Sequence, residues 1–370
     1  MKKILIGYVT DNPGSGINKY IINFIKTIQN EDVEIDILTR NDKNSVNELL
    51  KDCGIHEIKH VSRNTKPIKQ YFEMKSILKS NIYDISYYNI SNAYDCIGVI
   101  SSKVNSVTKN VAHSHSSYIE GGSELVRLAK KIGNNLFKPV LSVCCNEYLS
   151  CSKKAAEWLY SKKIVSSNQY ELIYNTVDYS KFKFNSEVRN NIRLKLNVRD
   201  KFVIGHVGRF SYQKNHRFII ELFAKVKKLK ENSVLVCVGD GKDMDAIKQY
   251  ANELGVNESI IYTGGVPNPN DYLQAFDVFV LPSFFEGLPI SGIEAQFSGV
   301  PCLFSDQISS EVIIGKKSEL LSINDSDLWA NKIVRINERN NELLPEANNF
   351  MVEKNKNQFD KVIDVTHVIK

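Results

Sequence analysis

Short apolar runs alternate along this chain with longer stretches whose apolar residues return every three or four positions. That alternation confines the chain to parallel sheets, because consecutive parallel strands need a crossover and a helix supplies it. Residues 4–9, 33–38, 84–90, 111–113, 148–151 and 171–174 read as one set of strands. Residues 202–207, 233–238, 260–262, 278–281 and 302–304 read as a second. Helices fit between them, for example at 17–28 and 153–160. The pattern is interrupted near 175–185, where Asn, Asp, Ser and Lys accumulate. The expected fold is therefore α/β, with two doubly wound, Rossmann-like parallel-sheet domains facing a cleft. The domains span 1–178 and 179–345, and 346–370 form a helical tail. A length of 370 residues suits two domains.

Composition narrows the function classes. The lysine pair at Lys2-Lys3 precedes an apolar run that ends in Asp11-Asn12-Pro13-Gly14. The run is too short for a signal peptide and reads as a first strand and its loop. No stretch approaches the roughly 20 apolar residues of a membrane span. Seven scattered cysteines, without zinc-site spacing, suit reduced thiols, so a cytoplasmic protein is expected. A net charge of +6 is modest, and no basic-aromatic RNA-binding motif occurs, which excludes nucleic acid as a partner.

Two segments carry chemistry. In the first, the strand 202–207 runs into Gly208-Arg209, with Lys214-Asn215 close behind. Gly208 lets the backbone turn or approach a ligand closely. Asn215 is placed to cap a helix carrying Phe218, Ile219, Leu222, Phe223 and Val226. Arg209 and Lys214 then sit at the C-terminal edge of a parallel sheet, where such folds bind ligands. A guanidinium fork and a mobile ammonium suit phosphate oxygens. In the second segment, a buried strand ends at Leu281 and a loop holds Glu286. Pro289 suits the first helical position. Glu294 falls in the second helical turn, roughly 7.5 Å beyond Pro289 at 1.5 Å per residue. Gly299 and Pro301 mark the helix end. The amides of Gly287, Leu288 and Ile290 are placed to face an anion at the helix entrance.

The stretches VIGHVGRFSYQKNH and VLPSFFEGLPISGIEAQFSGVPC, with weaker AHSHSS, SCSKKAAEWLY and LIYNTVDYSKF, resemble retaining glycosyltransferases of family 4. These have the GT-B fold, and the likeness is to members of capsular and exopolysaccharide synthesis. The resemblance implies that Arg209 and Lys214 bind the donor diphosphate, that Glu286 faces the donor sugar and that Glu294 binds the ribose. It implies base contacts at Gly265 and Val266 in the loop Tyr262–Pro267 and, with a serine departing at Ser15, a phosphate-side glycine at Gly16. His113 and His115 are two apart at a strand end, where the turn is expected to aim the two rings apart. The resemblance assigns His115 to the donor sugar as a catalytic group. His206 and His216 read as packing or capping residues. Thr176 stands where the family has glycine, so a positive φ is not expected there.

Between 125 and 141, Arg127, Lys130, Lys131 and Lys138 lie among Leu125, Val126, Leu128, Ile132, Leu136, Phe137 and Val140. Two readings stand for this basic amphipathic segment. It is a core helix with solvated lysines, or it rests on an anionic membrane. The resemblance favours the membrane, through polyisoprenyl-diphosphate-linked acceptors at its inner face. The implied reaction moves a sugar, with retention, from a nucleoside diphosphate sugar, UDP-sugar favoured, to a glycan or lipid-linked hydroxyl. No cofactor is expected, and metal independence follows from the lack of an Asp-x-Asp motif at a matching point. Two alternatives are a GT-B-fold sugar-nucleotide epimerase, which needs further acid–base residues, and a non-catalytic nucleotide-sugar-binding scaffold, in which Lys214, Glu286 or Glu294 is lost.

Overall fold

A computed structural model describes residues 1–12, 15–29, 31–119, 123–355 and 357–365. The chain divides into two compact units, one of residues 1–176 with 355–370 and one of residues 177–354. Each is a doubly wound parallel α/β sheet.

Unit 1 carries β1 (Lys2–Val9), β2 (Val33–Thr39), β3 (Glu57–His60), β4 (Ile85–Ile90), β5 (Lys109–Ser114), β6 (Glu147–Ser150) and β7 (Glu171–Leu172). Their order is β3-β2-β1-β4-β5-β6-β7. Alternation across the strands feeds a core on each face. Ile4, Ile6, Ile35, Ile37 and Tyr87 enter one cluster, and Leu5, Leu38, Tyr88 and Ala112 the other. The first cluster also takes Phe359, Val362 and Ile363 from the helix Asn357–Ile363 near the C-terminus. Lys109 Nζ donates to the carbonyls of Lys361 and Asp364 at 2.5 and 2.7 Å, fixing that helix.

Unit 2 carries β8 (Phe202–Val207), β9 (Ser233–Val238), β10 (Ile260–Tyr262), β11 (Val278–Leu281), β12 (Cys302–Ser305) and β13 (Ser318–Leu321). Their order is β10-β9-β8-β11-β12-β13. Both sheets therefore reverse direction of growth once, between β1 and β4 in unit 1 and between β8 and β11 in unit 2. Loops diverge from such a reversal, and the crevice they leave is where doubly wound sheets bind ligands.

The helix Glu124–Cys144 overturns its reading as a core helix. Its inward face buries Asn134 and Leu141. The Asn134 side chain accepts from Ala93 N at 2.6 Å and donates to Trp158 O at 2.8 Å. The apolar stripe Leu125, Leu128, Ile132, Leu136 and Val143 points the other way, with Leu125 80%, Leu136 70% and Val143 72% exposed. No helix among the described residues is long and apolar enough to cross a membrane.

Candidate active site

The reversal in unit 2 brings the two motif segments together, because β8 pairs directly with β11. After β8 the chain passes Gly208 and the exposed Arg209, makes a 3-10 turn over Tyr212–Lys214, and enters the helix His216–Leu229. Asn215 takes a left-handed conformation at φ 54° and ψ 49°, which Asn tolerates better than most residues. Its side chain makes no capping bond, contrary to expectation. Nδ2 instead donates to Pro282 O at 3.2 Å, fastening this turn to the end of β11. Gly208 has a local reason. A Cβ there would sit 2.8 Å from His206 Nε2 and 3.1 Å from Lys214 Cε, so glycine leaves room for the lysine stem.

That stem delivers Lys214 Nζ to 2.6 Å from Glu286 Oε1. Ser283 Oγ donates to the same oxygen at 2.9 Å, and Gln213 Nε2 donates to Oε2 at 2.9 Å. Gln213 also donates to Phe285 O at 3.0 Å and accepts Phe284 N at 2.9 Å through its own carbonyl. The side chains of Lys214 and Glu286 are only 14% and 9% exposed. An ion pair this far from water persists when further hydrogen bonds satisfy its remaining atoms, as Ser283 and Gln213 do. Sequence reasoning gave Lys214 and Glu286 separate partners and omitted Gln213 and Ser283. Their positions, beside Lys214 and three before Glu286, were the available signal.

Beyond Glu286 the loop is buried through Gly287, Leu288 and Pro289. The helix runs Ile290–Phe297, so Pro289 is its N-cap at ψ 102° and not its first residue, a correction of one position. Glu294 lies in the second turn and is 5% exposed. The amides of the helix entrance, Ile290 among them, lack i−4 acceptors by geometry. Neighbouring loops close round the same edge. Phe210 N donates to Asp240 O at 2.9 Å, and Gly239 N to Gly264 O at 3.0 Å. Gly239 holds φ 137°, and a Cβ on it would lie 2.1 Å from Gly208 O. Gly265 and Val266 follow directly. Arg209, Lys214, Asp240, Gly265 and Glu286 thus stand on loops after four neighbouring strands.

His206 and His216 pack as expected. His206 Nδ1 meets Val280 O at 2.9 Å, and the His216 ring stacks on Phe210 with centroids 4.0 Å apart. Burial pushes their pKa values down to about 3 and about 2.

In unit 1, Gly16 opens the helix Gly16–Ile28 and is exposed. Gly14, which shares its loop, lies outside the described residues. Ser15 caps this helix through Asn18 N, and the buried Asn18 side chain donates to Thr10 O and Asn12 O at 2.8 Å each. His113 and His115 do not diverge. Their ring centroids are 4.0 Å apart, because the strand remains extended through Ser114 and keeps both on one face. His113 is fully buried with Nδ1 2.6 Å from Tyr87 Oη, whereas the partly exposed His115 places Nε2 2.8 Å from Asn89 Oδ1. Burial holds His113 well below the usual range and His115 at about 3. Glu34, Asp36 and His56 cluster near the start of the same sheet. Lys3 and Lys59, at 3.7 and 3.6 Å from Asp36, supply the countercharge there.

Residues 188–358 match the family of glycosyl transferases group 1, and residues 14–146 match the glycosyl transferase 4-like family. With the two reversal-point sheets, they define an enzyme of the glycosyltransferase class with the GT-B fold. The chain is 26% identical over 383 residues to the Escherichia coli UDP-Gal:α-D-GlcNAc-diphosphoundecaprenol α-1,3-galactosyltransferase, covering 100% of this chain and 94% of that protein. It is 27% identical over 228 residues to the capsular polysaccharide biosynthesis glycosyltransferase CapH of Staphylococcus aureus, 61% of this chain and 60% of CapH. Among solved structures, Anabaena HepE in complex with UDP-glucose superposes with a TM-score of 0.80 at 17% identity, over 98% of this chain and 99% of HepE.

Proposed function

We propose that this enzyme transfers a glycosyl unit, with retention of configuration, from a UDP-sugar to a hydroxyl of a polyisoprenyl-diphosphate-linked glycan in surface polysaccharide synthesis. The observation that carries the reading is the buried Lys214–Glu286 pair at the β8/β11 reversal. Negative charge grows on the diphosphate as the glycosidic bond breaks, and a cation already fixed beside that position stabilises it without reorganisation. Lys214 takes that role with Arg209 and the amides of Gly287, Leu288 and Ile290. Glu286, in the loop before the helix that carries Glu294, takes the donor sugar and Glu294 the ribose. Gly265 and Val266 take the base, and His115 and Gly16 of unit 1 keep their assigned contacts to the donor. The countercharges are side chains, so the reaction proceeds without a metal.

The UDP-glucose complex of HepE and the diphosphoundecaprenol acceptor named for the E. coli relative support the choice of donor and acceptor class. The outward stripe of the helix Glu124–Cys144 supports seating at the inner face of the membrane. It extends about 27 Å at 1.5 Å per residue, and the exposed Lys130 and Lys131 on the same helix suit anionic headgroups. A thermal-shift panel of UDP, GDP, ADP and CMP sugars, followed by turnover on an undecaprenyl-diphosphate glycan with and without EDTA, tests the reading. Stabilisation by a UDP-sugar and EDTA-insensitive α-linked product from an α-linked donor are expected. An inverted product, an EDTA-abolished reaction or an epimerised donor would overturn it.

A further inference from the structure

The reversal point of unit 1 holds a hydrogen-bond chain whose direction is fixed at one end. Gly7 lies on β1 and Asn89 on its neighbour β4. A carbonyl oxygen can only accept, so the Asn89 amide nitrogen, 3.2 Å from Gly7 O, is the donor. The other end of the same amide is then the oxygen that faces His115 Nε2 at 2.8 Å. That oxygen also can only accept, and Nε2 must therefore carry the imidazole proton. In a neutral ring this leaves Nδ1 as an unprotonated acceptor. Burial keeps the ring neutral, since its pKa is pushed to about 3. Among the described residues Nδ1 is buried and has no hydrogen-bond partner.

The neighbouring histidine is arranged differently. His113 is fully enclosed and spends Nδ1 on Tyr87, whose hydroxyl meets that of Tyr20 at 2.6 Å. No ligand reaches it. His115 is partly exposed and lies against Tyr20 and His113, with centroids 5.0 and 4.0 Å away. Among the described residues each ring has a buried nitrogen without a partner, Nε2 in His113 and Nδ1 in His115, and of the two rings only that of His115 is partly exposed. A buried polar atom without a partner calls for an explanation, and an incoming hydroxyl supplies the missing donor.

We propose that Asn89 is a positioning residue, which locks His115 in the Nε2–H tautomer and so presents Nδ1 as a hydrogen-bond acceptor to a hydroxyl of the sugar substrate. The identity of that hydroxyl rests on the glycosyl-transfer reading, while the tautomer does not. One consequence is chemical. With its proton committed to Asn89, His115 organises a hydroxyl and does not act as the proton donor to the leaving group.

The test is nitrogen–proton correlation NMR of the full chain carrying ¹⁵N-histidine, with His115→Gln to assign the signals. The wild type is expected to show His115 protonated on Nε2 alone at pH 7. Asn89→Asp keeps an acceptor and should keep the proton on Nε2, while its negative charge raises the imidazole pKa. Asn89→Leu keeps the branched shape without the acceptor and should mix the tautomers. A wild-type His115 protonated on Nδ1, or an unchanged tautomer in a folded Asn89→Leu variant, would overturn the proposal. If Asn89→Leu does not fold, the wild-type and Asn89→Asp spectra still decide it. In turnover, Asn89→Leu should lower kcat by roughly 10- to 100-fold, the range found for groups that orient a metal-bound imidazole, with UDP affinity unchanged. Unaltered kcat beside mixed tautomers would overturn the substrate contact. A wild type that turns over no nucleotide sugar, yet shows the Nε2–H tautomer, would sink the glycosyl-transfer reading and leave the role of Asn89 standing.

Discussion

Lys214 and Glu286 neutralise one another, and that contact changes what each substitution should do. Lys214→Ala leaves a carboxylate at 9% exposure without the cation it is paired with. Removing one partner of a buried pair typically costs about 3–5 kcal/mol. We expect urea denaturation to register most of that loss. UDP binding should weaken as well, by a charge-assisted contact worth about 1.5–3 kcal/mol. Glu286→Gln acts in the opposite sense on the nucleotide. It releases the ammonium from its competitor, so calorimetry should find UDP bound at least as tightly as by the wild type, while sugar transfer falls. Equal loss of UDP affinity in the two variants would show that the cation does not serve the diphosphate. Both residues were legible in the sequence, each from its own loop. Their contact was not, because it depends on β8 lying beside β11, a fact of sheet order that no local spacing encodes. Asn89 was invisible for a similar reason. It sits inside an apolar strand, and only its distances to Gly7 and His115 reveal its use.

At the scale of elements, periodicity located the helices and left their facing undetermined. Residues 124–144 have strong amphipathic spacing, and the spacing is the same whether the apolar stripe faces a sheet or water. The structure turns the stripe outward and holds the helix by Asn134. Replacing Leu128 and Leu136 together by Gln should therefore leave the unfolding free energy in urea within the roughly 0.5 kcal/mol per site typical of surface changes. In a core helix the same pair would cost several kcal/mol. Flotation with anionic vesicles should lose the double variant and retain the wild type; equal binding of the two, or a large loss of stability, would contradict the membrane face. Edge strands were the other loss. β3 and β13 are the four-residue segments Glu57–His60 and Ser318–Leu321 at sheet edges, and their polar, half-exposed sequences lack the apolar runs that marked the central strands. The helix Pro269–Ala275 carries a different lesson. Its C-terminal carbonyls receive Arg189, Arg193 and Arg339, and Asp277 pairs with two of these cations, at 2.5 Å from Arg189 and 3.1 Å from Arg193. Crowded by burial and by Arg189, Arg339 is pushed down to about 9. Asp277→Ala should destabilise unit 2 by about 3–5 kcal/mol in denaturation, and a near-neutral effect would mean that the carbonyls suffice.

Each unit packs two histidines near the C-terminal ends of its strands, the buried His113 and partly exposed His115 in one and the buried His206 and His216 in the other. All four are held neutral by burial, with pKa values of about 3 for His115 and His206 and about 2 for His216. In the unfolded chain such groups titrate near 6.5. Below that pH the unfolded chain takes up protons that the native molecule refuses, so stability must fall as the pH drops. The loss begins near pH 6.5, continues toward about 3, and approaches 1.4 kcal/mol per pH unit for each histidine. Carboxylates with lowered pKa values, such as Asp36 and Asp178, add to the loss only near and below about pH 4. In the interval from 6.5 to 4.5 the four histidines set the decline, opposed by Glu147, whose carboxyl burial pushes up and which therefore gains stability as the pH falls. Guanidinium unfolding at pH 7.5, 6.0 and 5.0 should show a steady decline, and where the units unfold in separate transitions, each should carry its own slope. His216→Phe sharpens the measurement, because the ring stacked on Phe210 is kept and the titrating group is removed. That variant should lose one proton of pH dependence from the transition of unit 2 and none from unit 1. Stability that stays level between pH 7.5 and 5.0 would mean that the four imidazoles are hydrated in the native molecule, and the neutral acceptor assigned to His115 would fall with them.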